Sequence, residues 1–173
     1  MIASFAAFAE VVTLAWRRGT SLLGATRTIG VICVITDPSG RVLLVRPHYR
    51  GWGLPGGFCG RREEPVVAAR REIQEESGVQ VNGDLRLVLR RACAGHDDYL
   101  FRGTVGDDSV GVALEPTPDS WEIRATRWCA PDALPEIRGG SRWALATVGI
   151  IAPSSAVAAR VEASDTAPVV PLR

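Results

Sequence analysis

Residues 70–79 read RREIQEESGV and set Glu72, Glu75 and Glu76 close together on what the flanking pattern marks as one helix. At 3.6 residues per turn the three carboxylates point within an arc of about 100°. Like charges at this spacing repel by roughly a few tenths of a kcal/mol per pair. A divalent cation removes that repulsion, and carboxylate oxygens suit Mg²⁺ or Mn²⁺ far better than Zn²⁺. The bland alternative is a solvated acidic face balanced by Arg70 and Arg71. Just upstream, LPGGF at 54–58 brings glycine-rich backbone to the start of the same helix. There the amides or carbonyls of Gly56 and Gly57 can reach a metal or a phosphate.

A second group, Arg46, His48, Tyr49, Arg50 and Trp52, crowds the segment before that loop. Arginine or histidine there suits phosphate, and tyrosine or tryptophan suits stacking on a base. Trp52 is expected to pack beneath the loop, while Arg46 and Arg50 are carried forward as substrate-binding candidates. Trp121, Trp128 and Trp143 are expected in the core or at an interface. The cysteines (Cys33, Cys59, Cys93, Cys129) include no CxxC pair, and the histidines (His48, His96) do not lie at zinc-ligand spacing. They read as scattered reduced thiols, with Cys59 nearest the acidic helix.

These residues must be held by one domain, since 173 residues suffice for a single substantial core. A net charge of +1 excludes a broad basic surface for gripping nucleic acid, so a ligand must be recognised locally. Residues 3–16 form an apolar run interrupted by Glu10, too short to span a bilayer, with Arg17 and Arg18 on the wrong side for a secretory signal. Phe5, Phe8, Val12 and Trp16 share one stripe. Residues 1–26 are therefore expected to be an amphipathic helix and linker in a cytoplasmic protein. From 152 to 173 the chain turns Pro-, Ala- and Ser-rich and reads as a disordered tail.

Between them, Thr28–Thr36 is a nearly continuous apolar, β-branched run, as expected of a buried strand. DPSG at 37–40 turns the chain into a second strand, 41–46. The acidic helix starts near Glu64-Pro65 and ends at Gly78, with Val66, Ala69 and Ile73 as its apolar stripe. Leu85, Leu87 and Leu89 alternate as a strand; 99–105 and 122–128 are two more, 131–136 is a turn or short helical piece, and 141–150 is a closing helix. The order predicts antiparallel strands around one central helix, an α+β arrangement or α-β-α sandwich.

The full spacing is Gly57, five residues, Glu63, seven residues, Arg71-Glu72-Ile73, one residue, Glu75-Glu76, one residue, Gly78-Val79. It resembles the Nudix box without a gap, and WGLPGG at 52–57 is the matching lead-in. The resemblance to Nudix hydrolases spans about 27–151. It implies a mixed β-sheet sandwiched between helices, a box folded as loop–helix–loop, and a reaction that hydrolyses the diphosphate of a nucleoside diphosphate linked to another moiety X. By that resemblance Glu72, Glu75 and Glu76 are metal ligands for Mg²⁺ or Mn²⁺, joined by a carbonyl of Gly56 or Gly57. Glu63 sits near the metal, and Arg71 orients a box carboxylate. The general base is assigned first to Glu72, with Glu75 as the alternative.

This sequence departs from the family in having Arg62 where many members carry glycine before the first box glutamate. Glu115, Asp119 and Glu122 are candidates for a further acidic ligand. Residues 80–96 hold neither the proline of the ADP-ribose hydrolases nor the tyrosine of the diadenosine-polyphosphate hydrolases. No motif of the NADH or coenzyme A hydrolases is evident. Two readings stand beside the enzyme: a catalytically silent nucleotide sensor, and a pyrophosphohydrolase of RNA 5′ ends. Retention of every box glutamate favours catalysis on a small nucleotide substrate, with no stable nucleic-acid partner. Many family members are dimers, and the N-terminal helix offers an interface, so a homodimer stays open.

Overall fold

The computed structural model describes residues 27–93, 95–105, 116–118 and 120–153. The expected N-terminal helix and nearly all of the expected tail lie outside them, as do Glu115 and Asp119. Five strands, β1 (Thr28–Thr36), β2 (Val42–Pro47), β3 (Arg86–Cys93), β4 (His96–Thr104) and β5 (Ile123–Cys129), form one sheet in the order β3-β4-β1-β2-β5. Helix α1 (Pro65–Ser77) follows β2, and helix α2 (Gly139–Thr147) follows β5 after a short 3₁₀ turn, Pro131–Ala133. β1 runs parallel to β4, and the other neighbours are antiparallel, so the sheet is mixed.

The helices cover opposite faces, which explains the uninterrupted apolar sequence of β1. Val31, Cys33 and Ile35 pack with Ala68, Ala69 and Ile73 of α1. Val34 turns the other way and packs with Trp143, Ala144 and Leu145 of α2. A strand between two helical layers needs apolar residues at successive positions, not alternate ones. Among the described residues no helix is long and apolar enough to cross a membrane.

Several details differ from the sequence expectation. In α1 the buried side chains are Ala68, Ala69, Ile73 and Ser77, whereas Val66 is 37% exposed. Val66 has the right angle but lies in the first turn. The alternation expected for β3 is broken by a register shift between Leu87 and Leu89, which sends Leu89 to the α2 side and leaves Leu87 exposed. Helix α2 begins earlier and ends earlier than 141–150, because Gly149 takes φ 76° and its N–H closes on the Ala146 carbonyl. Trp143 is a core residue and Trp128 packs against the α1 side, but Trp121 is 86% exposed.

The feature that positions the site is a gap in the sheet. β1 and β2 pair only at Thr36↔Val42 and then diverge. Loop 53–59 fills the opening. Gly53 exchanges two 2.9 Å hydrogen bonds with Val45 of β2. On the other side, Cys33 N–H donates to Pro55 (2.9 Å), Val31 N–H to Gly57 (2.8 Å), and Cys59 N–H to Ile29 (2.9 Å). Polar backbone groups that would otherwise be stranded inside the sheet are thereby satisfied.

Candidate active site

The loop runs directly beneath the acidic face of α1, and two glycines make the approach possible. Gly56 has φ 154°, and a Cβ there would overlap the Val31 carbonyl. A Cβ on Gly57 would overlap the Glu72 carboxylate. Gly56 N–H donates to Glu76 Oε2 at 2.9 Å. The Gly57 carbonyl already accepts Val31 N–H, which favours Gly56 over Gly57 as the backbone oxygen for a cation.

Arg71 ties the carboxylates together. Its Nε and Nη2 form a fork on Glu63, at 2.9 and 3.0 Å. Its Nη1 donates to Glu72 Oε1 (2.8 Å) and Glu75 Oε2 (3.1 Å), and Nη2 also reaches the Phe58 carbonyl at 3.0 Å. Gly60 N–H adds a further bond to Glu63 at 2.7 Å. The fork and this amide hold the Glu63 carboxyl down at about 2. Burial has the opposite effect on the other two. It raises Glu72, against the pull of Arg71. It pushes Glu76 up to about 7, with help from the charges of Glu72 and Glu122 and against the Gly56 amide. Crowded, desolvated carboxyls that resist ionisation are what a cation would relieve.

Among the described residues, no three acidic, thiol or imidazole groups converge tightly enough to enclose a metal ion as they stand. Arg71 supplies the counter-charge instead. The donors themselves, carboxylate and amide oxygens, fit a hard divalent cation.

Beside Gly56 and Gly57 opens a cleft of about 400 Å³. Its walls include Gly30, Phe58, His96, Asp98, Arg50 and Arg138. The two arginines expected to face substrate therefore separate. Arg50 lines the cleft, while Arg46 lies 5.9 Å from the Trp52 ring, whose other neighbour is Arg127 at 4.4 Å. Trp52 packs under the loop as expected. Sequence reasoning missed Phe58, His96, Asp98 and Arg138. His96 is held at both ring nitrogens, by Thr28 Oγ1 at 2.8 Å and Asp98 Oδ1 at 2.7 Å. Of the later acidic candidates, Glu122 lies close enough for its charge to raise Glu76.

A family model of the NUDIX domain matches residues 26–146. A CMP-5′-(N-acetyl-N-hydroxy-3-aminopropyl)phosphonate hydrolase from Streptomyces rubellomurinus is 34% identical over 121 residues, covering 64% of this chain and 55% of the relative. The chain thus spans little more than half of that protein's length. A MutT-like protein from Streptomyces ambofaciens is 34% identical over 111 residues, covering 63% of this chain and 68% of the relative. In structure, the fold is shared with a MutT Nudix hydrolase from Burkholderia pseudomallei, at TM-score 0.57 and 24% identity over 72% of this chain and 99% of that one. The box on α1, the loop beneath it and the match over most of the described domain lead to one conclusion: this chain belongs to the Nudix hydrolase family.

Proposed function

We propose that the protein hydrolyses the diphosphate linkage of a nucleoside diphosphate joined to another moiety, with Mg²⁺ or Mn²⁺ held by Glu72, Glu75, Glu76 and the Gly56 carbonyl. The observation that carries this reading is the placing of Glu72 and Glu76 against the Gly56–Gly57 backbone at the edge of the cleft. A cation bound there neutralises diphosphate oxygens and acidifies water. The chain's own residues do the rest. Arg71 fixes the carboxylate rotamers through its contacts to Glu63, Glu72 and Glu75, so the site is organised before substrate arrives. Glu72, set against the Gly57 backbone and hydrogen-bonded by Arg71, takes the proton of the attacking water as general base. Glu75, the alternative base, is more exposed than Glu72.

Arg50 faces the cleft as a phosphate contact. The Streptomyces rubellomurinus relative is named for a CMP-phosphonate, a nucleotide conjugate, which supports that substrate class. The test is a panel of nucleotides and nucleotide conjugates incubated with and without Mg²⁺, with products identified by mass. Metal-dependent turnover is expected, and Glu75→Gln or Glu76→Gln abolishes it while the fold is kept. Turnover that survives both substitutions overturns the site assignment. Binding of a nucleotide without cleavage identifies a sensor instead.

A further inference from the structure

Among the described residues, several arginines are neutralised by an acid. Arg41, Arg71, Arg90 and Arg91 each pair with a carboxylate. Arg50 and Arg138 line the same cleft, and among the described residues neither enters an ion pair. The Nε atoms of Arg91 and Arg138 are both buried without a hydrogen-bond partner among the described residues, but Arg91 has Asp98 to offset its charge and Arg138 has no such carboxylate among them. A shielded donor left unmade is costly, and one on a cation more so. Burial and the charge of Arg50 both act against its protonated form, and only Glu76 and Tyr49 favour it.

The fold nevertheless holds this guanidinium in place. Arg138 N–H donates to the Trp52 carbonyl at 3.0 Å. Three residues on, Ser141 Oγ accepts the Leu54 N–H at 2.9 Å, so the start of α2 is fastened to the loop. The guanidinium lies flat against Gly53, and a Cβ at that position would overlap it. The space is therefore reserved by the absence of a side chain. Two facing cations, one of them a shielded donor without an acceptor, call for a dianionic ligand between them.

We propose that Arg138 is a substrate-binding residue: with Arg50 it clamps the phosphoryl group of the diphosphate that the box carboxylates and their cation do not hold, and Gly53 is glycine in order to seat it. The inference rests on the proposed diphosphate substrate, but its test does not require turnover. The probe is methylenediphosphonate, a diphosphate mimic that cannot be hydrolysed, titrated calorimetrically into the full-length protein with excess Mg²⁺. Loss of a charge-assisted hydrogen bond predicts that Arg138→Met weakens binding about ten- to a hundredfold, with Arg138→Lys in between. Gly53→Ala, which displaces the guanidinium, is expected to weaken binding similarly, and adding Arg138→Met to it costs less than about threefold more, because the two act as one unit. Arg86→Met, in a separate hollow on the far edge of the sheet, serves as control and binds as wild type.

A merely structural role predicts altered melting with unchanged diphosphonate affinity. The proposal is overturned by an Arg138 variant that binds within about twofold of wild type, by strict additivity of Gly53→Ala and Arg138→Met, or by a wild-type protein that takes up no diphosphonate. If Arg138→Met does not fold, Arg138→Lys and Gly53→Ala decide. Loss of affinity in a protein that cleaves no nucleotide would sink the proposed reaction and leave the clamp standing. Unchanged affinity in a protein that does cleave would do the reverse.

Discussion

Substituting Glu76 by glutamine should stabilise the protein in the absence of metal while destroying the site. Glu76 is largely buried, accepts the Gly56 N–H at 2.9 Å, and has its carboxyl pushed from 4.5 up to about 7. Because the folded form holds this proton more tightly than the unfolded chain, the associated stability is present in full below about pH 4.5. It is lost as the pH rises through about 7. The gap between the two values corresponds to on the order of 3 kcal/mol. Glutamine keeps the shape and the oxygen that the Gly56 amide needs but never ionises. In EDTA, urea unfolding of Glu76→Gln and wild type should give nearly equal stabilities at about pH 4. The variant should be ahead by about 3 kcal/mol at pH 8.

Excess Mg²⁺ reverses the order, since a ligand of the folded state adds RT ln(1 + [L]/Kd) and the variant binds it poorly. Glu63 does not confuse the experiment. Its carboxyl is held down at about 2, so its contribution is present above about 4.5 and lost only as the pH falls through about 2. A variant less stable than wild type in EDTA at pH 8, or a difference that does not change with pH, would refute the claim that Glu76 carries a strained buried charge. A difference unmoved by Mg²⁺ would refute its role as a ligand.

Two further substitutions probe the same assembly from outside the glutamates. Gly57→Ala forces the Glu72 carboxylate away and should weaken Mg²⁺ affinity about ten- to a hundredfold, as measured by titration calorimetry. Adding Glu72→Ala removes the overlap, so the double variant should regain melting temperature without regaining affinity. Arg71→Lys keeps the charge but cannot span Glu63, Glu72, Glu75 and the Phe58 carbonyl at once. Turnover should fall about ten- to a hundredfold, and the Glu63 carboxyl followed by NMR should rise back toward 4.5.

The box was legible because its geometry is local: three glutamates, one helix period and a glycine pair can be placed from a single stretch of chain. The burial of β1 could likewise be read from its apolar run, but the strand order β3-β4-β1-β2-β5 could not. Nor could the cleft. Its walls come from β1, the loop at 54–58, β4 and the start of α2, elements more than forty residues apart in places, and no local pattern marks His96, Asp98 or Arg138. Arg46 and Arg50 look equivalent in sequence, yet Arg46 lies within β2, paired with Ala125, whereas Arg50 lies past the strand's end at Pro47, and only Arg50 lines the cleft. Leu87 at the β3 bulge and exposed Trp121 show the same limit: hydrophobicity indicates which residues can be buried, while non-local register decides which are.

Arg71 at first sight competes with a metal for the box, yet its hydrogen bonds divide the oxygens rather than exhaust them. Both oxygens of Glu63 are taken, by the Arg71 fork and the Gly60 amide. Glu72 gives Oε1 to Arg71, Glu75 gives Oε2 to Arg71, and Glu76 gives Oε2 to Gly56. Among the described residues, this leaves Glu72 Oε2, Glu75 Oε1 and Glu76 Oε1 without a hydrogen bond, one oxygen from each box glutamate. The pattern supports three ligands and assigns Glu63 a different task. It anchors the arginine whose charge lets the carboxylates coexist before a cation arrives, and whose donors fix which oxygen each one has left to offer.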